Sequence, residues 1–205
     1  MIAAQPYVSI DVALLLLRVT FGVTLALHGY GKFFTGGRIP GTARWFDSIG
    51  MRPGKTMALM AASTEVAAGL AFAIGFLTPI ASAGFVALML VAGWTVHRDN
   101  GFFIVRDGWE YNMILAVGTV TIAMTGAGRF SLDRVLDLER SFSGFRGLAL
   151  SAGLGIAGGV GLLAAVYRPP AKETLETLET VETVETLETL EPVEEAEATE
   201  ATDDS

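Results

Sequence analysis

The stretch Met57–Leu77, MALMAASTEVAAGLAFAIGFL, runs for twenty-one residues with one charge, Glu65. At 1.5 Å rise per residue such a run fits the roughly 30 Å hydrocarbon core of a bilayer. It is too long for a strand and does not alternate, which leaves a helix. An ionisable side chain at that depth costs about 2.5–3.5 kcal/mol on insertion scales. Glu65 is therefore expected to have a partner or a task.

The same pattern recurs on both sides of this stretch. Ile10–Tyr30 is apolar apart from Arg18, and Pro79–Val96 opens on a proline suited to a first helical turn. Tyr111–Ala127 is shorter, at 17 residues, and Leu148–Val166 is glycine-rich and uncharged. The turn at Thr78 makes the second and third spans an antiparallel hairpin. The long connection 31–56 holds the turn signals Gly36-Gly37 and Pro40-Gly41. Thr42–Met51 follows, with Trp45, Phe46 and Ile49 on one helical face and Arg44, Asp47 and Ser48 on the other, the pattern of a short interfacial helix. In the fifth span, Gly155-x-x-x-Gly159 and Ala157-x-x-x-Gly161 allow two helix backbones to approach closely. Packing within the chain and self-association both fit that spacing.

The expected fold is an all-α membrane protein: a four-helix transmembrane bundle over 1–140, an additional glycine-rich transmembrane helix within 141–170, and a disordered acidic tail over 171–205. From Glu173 to Leu190 the tail repeats Glu-Thr-Leu or Glu-Thr-Val six times. A period of three matches neither 3.6 nor 2, so no apolar stripe forms, and the charge density favours disorder. The net charge of −8 belongs to this tail, which carries 13 acids and one Lys, while residues 1–170 carry a net of +4. The 51% hydrophobic content and mean hydropathy of +0.49 exclude an ordinary soluble domain. The absence of cysteine excludes disulfides, thiolate metal sites and a thiol redox cycle carried by this chain alone. No phosphate-cradling loop, nucleophile elbow or nucleic-acid signature is present, so no nucleic-acid partner is expected.

With the N-terminus on a side denoted A, the spans put residues 31–56 and 97–110 on side B, with Gly128–Gly147 on A. Side B thus collects His28, Lys32, His97, Arg98, Asp99, Arg106, Asp107, Glu110 and Asn112, ringed by Trp94, Phe102, Phe103, Trp109 and Tyr111. An ordinary interfacial belt explains most of these aromatics. Arg18 and Glu65 each lie about 12 Å from the start of antiparallel spans, leaving an axial offset of roughly 6 Å that two long side chains can bridge. A buried Arg18–Glu65 pair follows, either fixing helix register or serving a site. A bundle polar at one end suits an amphipathic ligand such as a quinone, with histidine and carboxylate at the rim moving protons. The candidate catalytic residues are His28, Glu65 and His97. The candidate cofactor contacts are Arg18, Lys32, Trp94, Glu110 and Asn112. His28, His97, Glu65 and Glu110 lack metal-motif spacing, and no metal site is expected.

Several of these residues together resemble the DoxX family of small bacterial membrane proteins. The matching pieces are Arg18, His28-Gly29-Tyr30-Gly31-Lys32, Glu65, Gly75-Phe76-Leu77-Thr78-Pro79 and Gly126-Ala127-Gly128-Arg129-Phe130-Ser131-Leu132-Asp133, over about 10–140. The resemblance implies a four-helix membrane bundle. It also implies a relation to a subunit of thiosulfate:quinone oxidoreductase and to members linked to redox homeostasis through sulfur-handling partners. The function it suggests is a quinone-linked oxidoreductase subunit in the bacterial plasma membrane. That subunit would pass electrons from a soluble redox protein such as a sulfurtransferase to quinone. The fifth span and the tail lie outside the family core. A scaffold that recruits partners through the acidic tail, or forms a homo- or hetero-oligomer through the fifth helix, is the alternative, and small-solute or lipid handling is a third. Nine Lys and Arg on side B against four on side A favour a cytoplasmic B side and tail.

Overall fold

A computed structural model describes residues 5–170 of the chain. The acidic repeat and its expected disorder lie outside the described residues. No strand occurs among the described residues. The helices are α1 Gln5–Phe34, α2 Arg38–Ser48, α3 Gly54–Ile74, α4 Thr78–Ala92 and α5 Glu110–Thr125. Three short turns follow, α6 Leu132–Val135, α7 Glu139–Phe142 and α8 Gly144–Leu148, and then α9 Leu154–Val166. A π-helical turn, Gly93–His97, and a 3-10 turn, Arg98–Asn100, extend α4 without a break. A second π turn, Ala149–Gly153, joins α8 to α9.

Four of these rods are long and apolar enough to cross a bilayer: Val8–Phe34, Gly54–Ile74, Thr78–Asn100 and Gly144–Val166. All four correspond to spans read from the sequence, and α1 and α4 run further than expected at their B ends. The remaining expected span, α5, is 16 residues long, or about 24 Å.

Small residues set the packing. On α1, the positions Arg18, Gly22, Leu25, Gly29 and Lys32 recur every three or four residues, and all but Lys32 are buried. That is one face of a 3.6-residue helix. It meets a matching face of α3 (Ala58, Ala62, Glu65, Gly69, Phe72) in the most extensive contact of the protein. A methyl group on Gly29 would lie 2.6 Å from the Ala62 carbonyl oxygen, so glycine is needed for the two backbones to approach. The α3–α4 hairpin closes around Phe72 and Phe85, whose ring centroids are 5.1 Å apart, with Leu25, Ala68, Ala81 and Ile122 completing the core.

Helix α4 is the hub, packed against α3, α5 and α9. Of the two small-residue motifs in the fifth span, Gly155 and Gly159 are the pair that meets α4. A methyl on Gly155 would stand 2.5 Å from Val86 Cβ, whereas nothing lies near Gly161. The end of α9 is tied to side B by the Arg168 N–H donating to Gly50 O at 2.8 Å.

Candidate functional site: a paired carboxylate in a small cavity

Glu65 does have a partner, and it is Lys32. The lysine ammonium donates to both carboxylate oxygens at 2.6 Å, with the two side chains 21% and 10% exposed. The expected Arg18–Glu65 pair is thus corrected. Its error has a geometric cause. Helical side chains lean toward the N-terminus of their own helix. On antiparallel helices Arg18 therefore leans toward side A and Glu65 toward side B, and the two diverge. Lys32, in the last turn of α1, leans back into the bundle and meets Glu65 coming the other way. The Gly22–Gly69 contact also sets Arg18 about eight residues, roughly 12 Å, from the level of Glu65.

Arg18 instead belongs to a lock on side A. It is fully buried, donates from Nη2 to Phe130 O, and fills the space beside Gly75. Gly75 has φ +68°, a left-handed conformation that ends α3, and any side chain there would overlap the guanidinium. Asp133, 2% exposed, accepts from the Leu77 and Thr78 N–H groups at 2.7 and 2.9 Å and so caps α4. Its own N–H donates to Gly75 O at 2.8 Å, and its charge acts on Arg18. Asp11 fixes the same segment by accepting from Arg129 N–H at 2.9 Å. Neither aspartate stood out in the sequence as a single residue. The available signals were Asp133 ending the Gly126–Asp133 block and Asp11 falling on the Arg18–Lys32 face.

The Lys32–Glu65 pair forms part of the wall of a cavity of about 130 Å³ between α1, α2, α3 and α4. Trp45 and Phe46 of α2, with Ile49 just past its end, close one side, and Met51, Leu88, Met89 and Thr95 are among the residues that line the rest. The amphipathic segment read at Thr42–Met51 is thus a helix, starting earlier at Arg38, and its apolar face covers this cavity. Asp47 holds it by accepting from the Gly54 N–H at 2.7 Å.

The other candidate residues do not converge on this cavity. His28 is exposed, one residue off the inward face of α1 and so turned about 100° from it. His97 donates from Nδ1 to Asp107 O at 2.6 Å, and Glu110 accepts from the Ile104 N–H at 2.9 Å. Both organise the α4–α5 loop. Trp94 and Asn112 line a separate recess of about 370 Å³ between α4 and α5. Among the described residues no three of His, Asp and Glu gather closely enough to share a metal ion.

The described residues thus make a helical membrane protein with a lysine–carboxylate pair on the wall of a small, mostly apolar cavity. The family described as DoxX matches residues 13–98, and the chain belongs to it. It is 30% identical over 125 residues, 61% of its length and 87% of the relative's, to a Bacillus subtilis (strain 168) protein named "Putative oxidoreductase CatD". It is 28% identical over 127 residues to the "Inner membrane protein YqjF" of Escherichia coli (strain K12), covering 62% of this chain and 94% of the relative. No solved structure matches it.

Proposed function

We propose that this protein is the membrane component of a redox system and takes the ring of a quinone into the cavity beside Lys32 and Glu65. The single observation that carries this reading is a part-buried ion pair on the wall of a ring-sized, mostly apolar cavity. An apolar cavity of about 150 Å³ accepts benzene, so 130 Å³ suits one six-membered ring and not a whole tailed quinone. The tail would lie between helices. Two of the three ammonium protons of Lys32 are engaged by Glu65, leaving one N–H for a ring carbonyl. Glu65 is the carboxylate placed to hold a proton next to that donor. Trp45 and Phe46 supply aromatic surface.

The quinone, when bound, supplies the acceptor for two electrons and two protons. The electrons come from a soluble sulfur-handling partner, because a chain without cysteine has no thiol couple of its own. The relative whose name includes oxidoreductase supports the redox assignment. The excess of Lys and Arg on side B supports placing the cavity end in the cytoplasmic leaflet.

The test uses Trp45 as reporter in full-length protein carrying Trp94→Phe and Trp109→Phe. A short-tailed quinone is expected to quench Trp45 saturably, and Glu65→Gln or Lys32→Met to weaken that quenching about tenfold or more, the scale of one charge-assisted hydrogen bond. Absence of saturable quenching, or quenching in both variants unchanged from the parent, refutes the reading.

A further inference from the structure

We infer that the recess between α4 and α5 is a binding site for an anionic phospholipid of the surrounding bilayer. It differs from the ion-pair cavity in size, in lining and in its order of polarity. At about 370 Å³ it falls in the range of ligand sites. It exists because α4 continues through its π and 3-10 turns to Asn100, whereas α5 begins only at Glu110.

The lining passes from a charged mouth to an apolar floor along the recess. Outermost is Arg98, its guanidinium 4.5 Å above the ring centroid of Trp94. Its Nε reaches Asp99, but that carboxylate is 85% exposed and such pairs are weak. The terminal guanidinium nitrogens make no hydrogen bond among the described residues. No acidic side chain lines the recess, so its charge complement is an anion. At the next level are Trp94 and Trp109, both partly exposed, as aromatic residues are at headgroup depth.

Below them stands Asn112. It is 8% exposed, lines the recess, and among the described residues its side chain makes one hydrogen bond, from Nδ2 to Met89 Sδ at 3.7 Å. A buried amide satisfied by a thioether alone has a donor and an acceptor left for a ligand. Deeper still, Leu90, Val86 and Ala116 are purely apolar. From Arg98 to Val86 is twelve residues, about 18 Å of α4.

The sequence of cation, aromatic pair, amide and hydrocarbon matches phosphate, glycerol, ester carbonyl and acyl chain. The apolar floor selects a lipid over free phosphate, and the cation selects an anionic lipid over a zwitterionic one. The site is independent of the quinone reading.

The test uses full-length Trp45→Phe protein, whose two remaining tryptophans both line the recess. It is reconstituted in phosphatidylcholine vesicles with a minor fraction of lipid brominated on its acyl chains. Brominated phosphatidylglycerol is expected to quench with about fivefold higher apparent affinity than brominated phosphatidylcholine, the scale of one cation at a membrane surface. Arg98→Gln should bring the two to parity, and Arg98→Lys should retain most of the preference. Asn112→Leu should weaken both lipids while keeping the preference. Parity in the unmutated recess, a preference surviving Arg98→Gln, or relief of quenching by millimolar inorganic phosphate overturns the proposal. Relief by short-tailed quinone would assign the recess to that ligand and also overturns it. Neither result depends on whether Trp45 responds to quinone.

Discussion

Removing both members of the Lys32–Glu65 pair should cost less than removing either one. At 2.6 Å and an effective dielectric near 20, the gross attraction is about 6 kcal/mol. Withdrawing each ion from water costs several kcal/mol, so the pair is close to neutral against an apolar replacement. Lys32→Met strands a carboxylate that is 10% exposed and is expected to cost about 3–5 kcal/mol. Glu65→Leu strands an ammonium in the last turn of α1 that can extend toward the headgroups, and should cost less, about 1–2 kcal/mol. The double variant should lie within about 1 kcal/mol of the parent, giving a coupling near 3 kcal/mol or more. Equilibrium unfolding in mixed detergent micelles, followed by circular dichroism, measures all three. A double variant equal to the sum of the singles within about 0.5 kcal/mol refutes the pairing. The cycle Arg18→Met with Glu65→Leu is the control and should be additive. If the pair also serves the ligand, the double variant regains stability without regaining quinone quenching.

Gly29→Ala puts a methyl 2.6 Å from the Ala62 carbonyl and 2.9 Å from Glu65 Cβ. It should destabilise by about 1–3 kcal/mol and loosen the ligand site, read by unfolding and by Trp45 quenching. Asp133→Ala leaves two N–H groups at the start of α4 without an acceptor and should cost about 2–4 kcal/mol in the same unfolding assay. Gly155→Leu should be strongly destabilising because it separates α9 from α4, whereas Gly161→Leu should stay within about 0.5 kcal/mol. A similar loss from both would mean that the outer face of α9 is covered.

The spans were legible because the hydrocarbon core imposes a length that few other folds share, and Glu65 was legible because it interrupts one. Its partner was not, because depth along a span says nothing about the direction in which a side chain leans. By sequence position Lys32 is a rim residue; one extra turn of α1 and an inward lean bring it to Glu65. Both histidines were drawn to the site by their chemistry alone. The three- and four-residue spacing of Arg18, Gly22, Leu25, Gly29 and Lys32 excludes His28 from the face that meets α3. The resembling motifs divide by place: Arg18, Gly75–Pro79 and Gly126–Asp133 lie at the lock on side A, and Gly29, Lys32 and Glu65 lie where α1 meets α3 beside the cavity. Linear sequence mixes the two groups, and only the helix register separates them.

The cap of α4 comes from a residue 55 positions further along the chain. During synthesis the α3–α4 hairpin therefore leaves the ribosome before Asp133 does. Until α5 has crossed and returned the chain to side A, the N–H groups of Leu77 and Thr78 lack their acceptor and Arg18 lacks the Phe130 carbonyl. The nascent protein is thus a provisional assembly that a single late segment closes. Chains truncated before residue 126 should be the species that membrane quality-control proteases remove first.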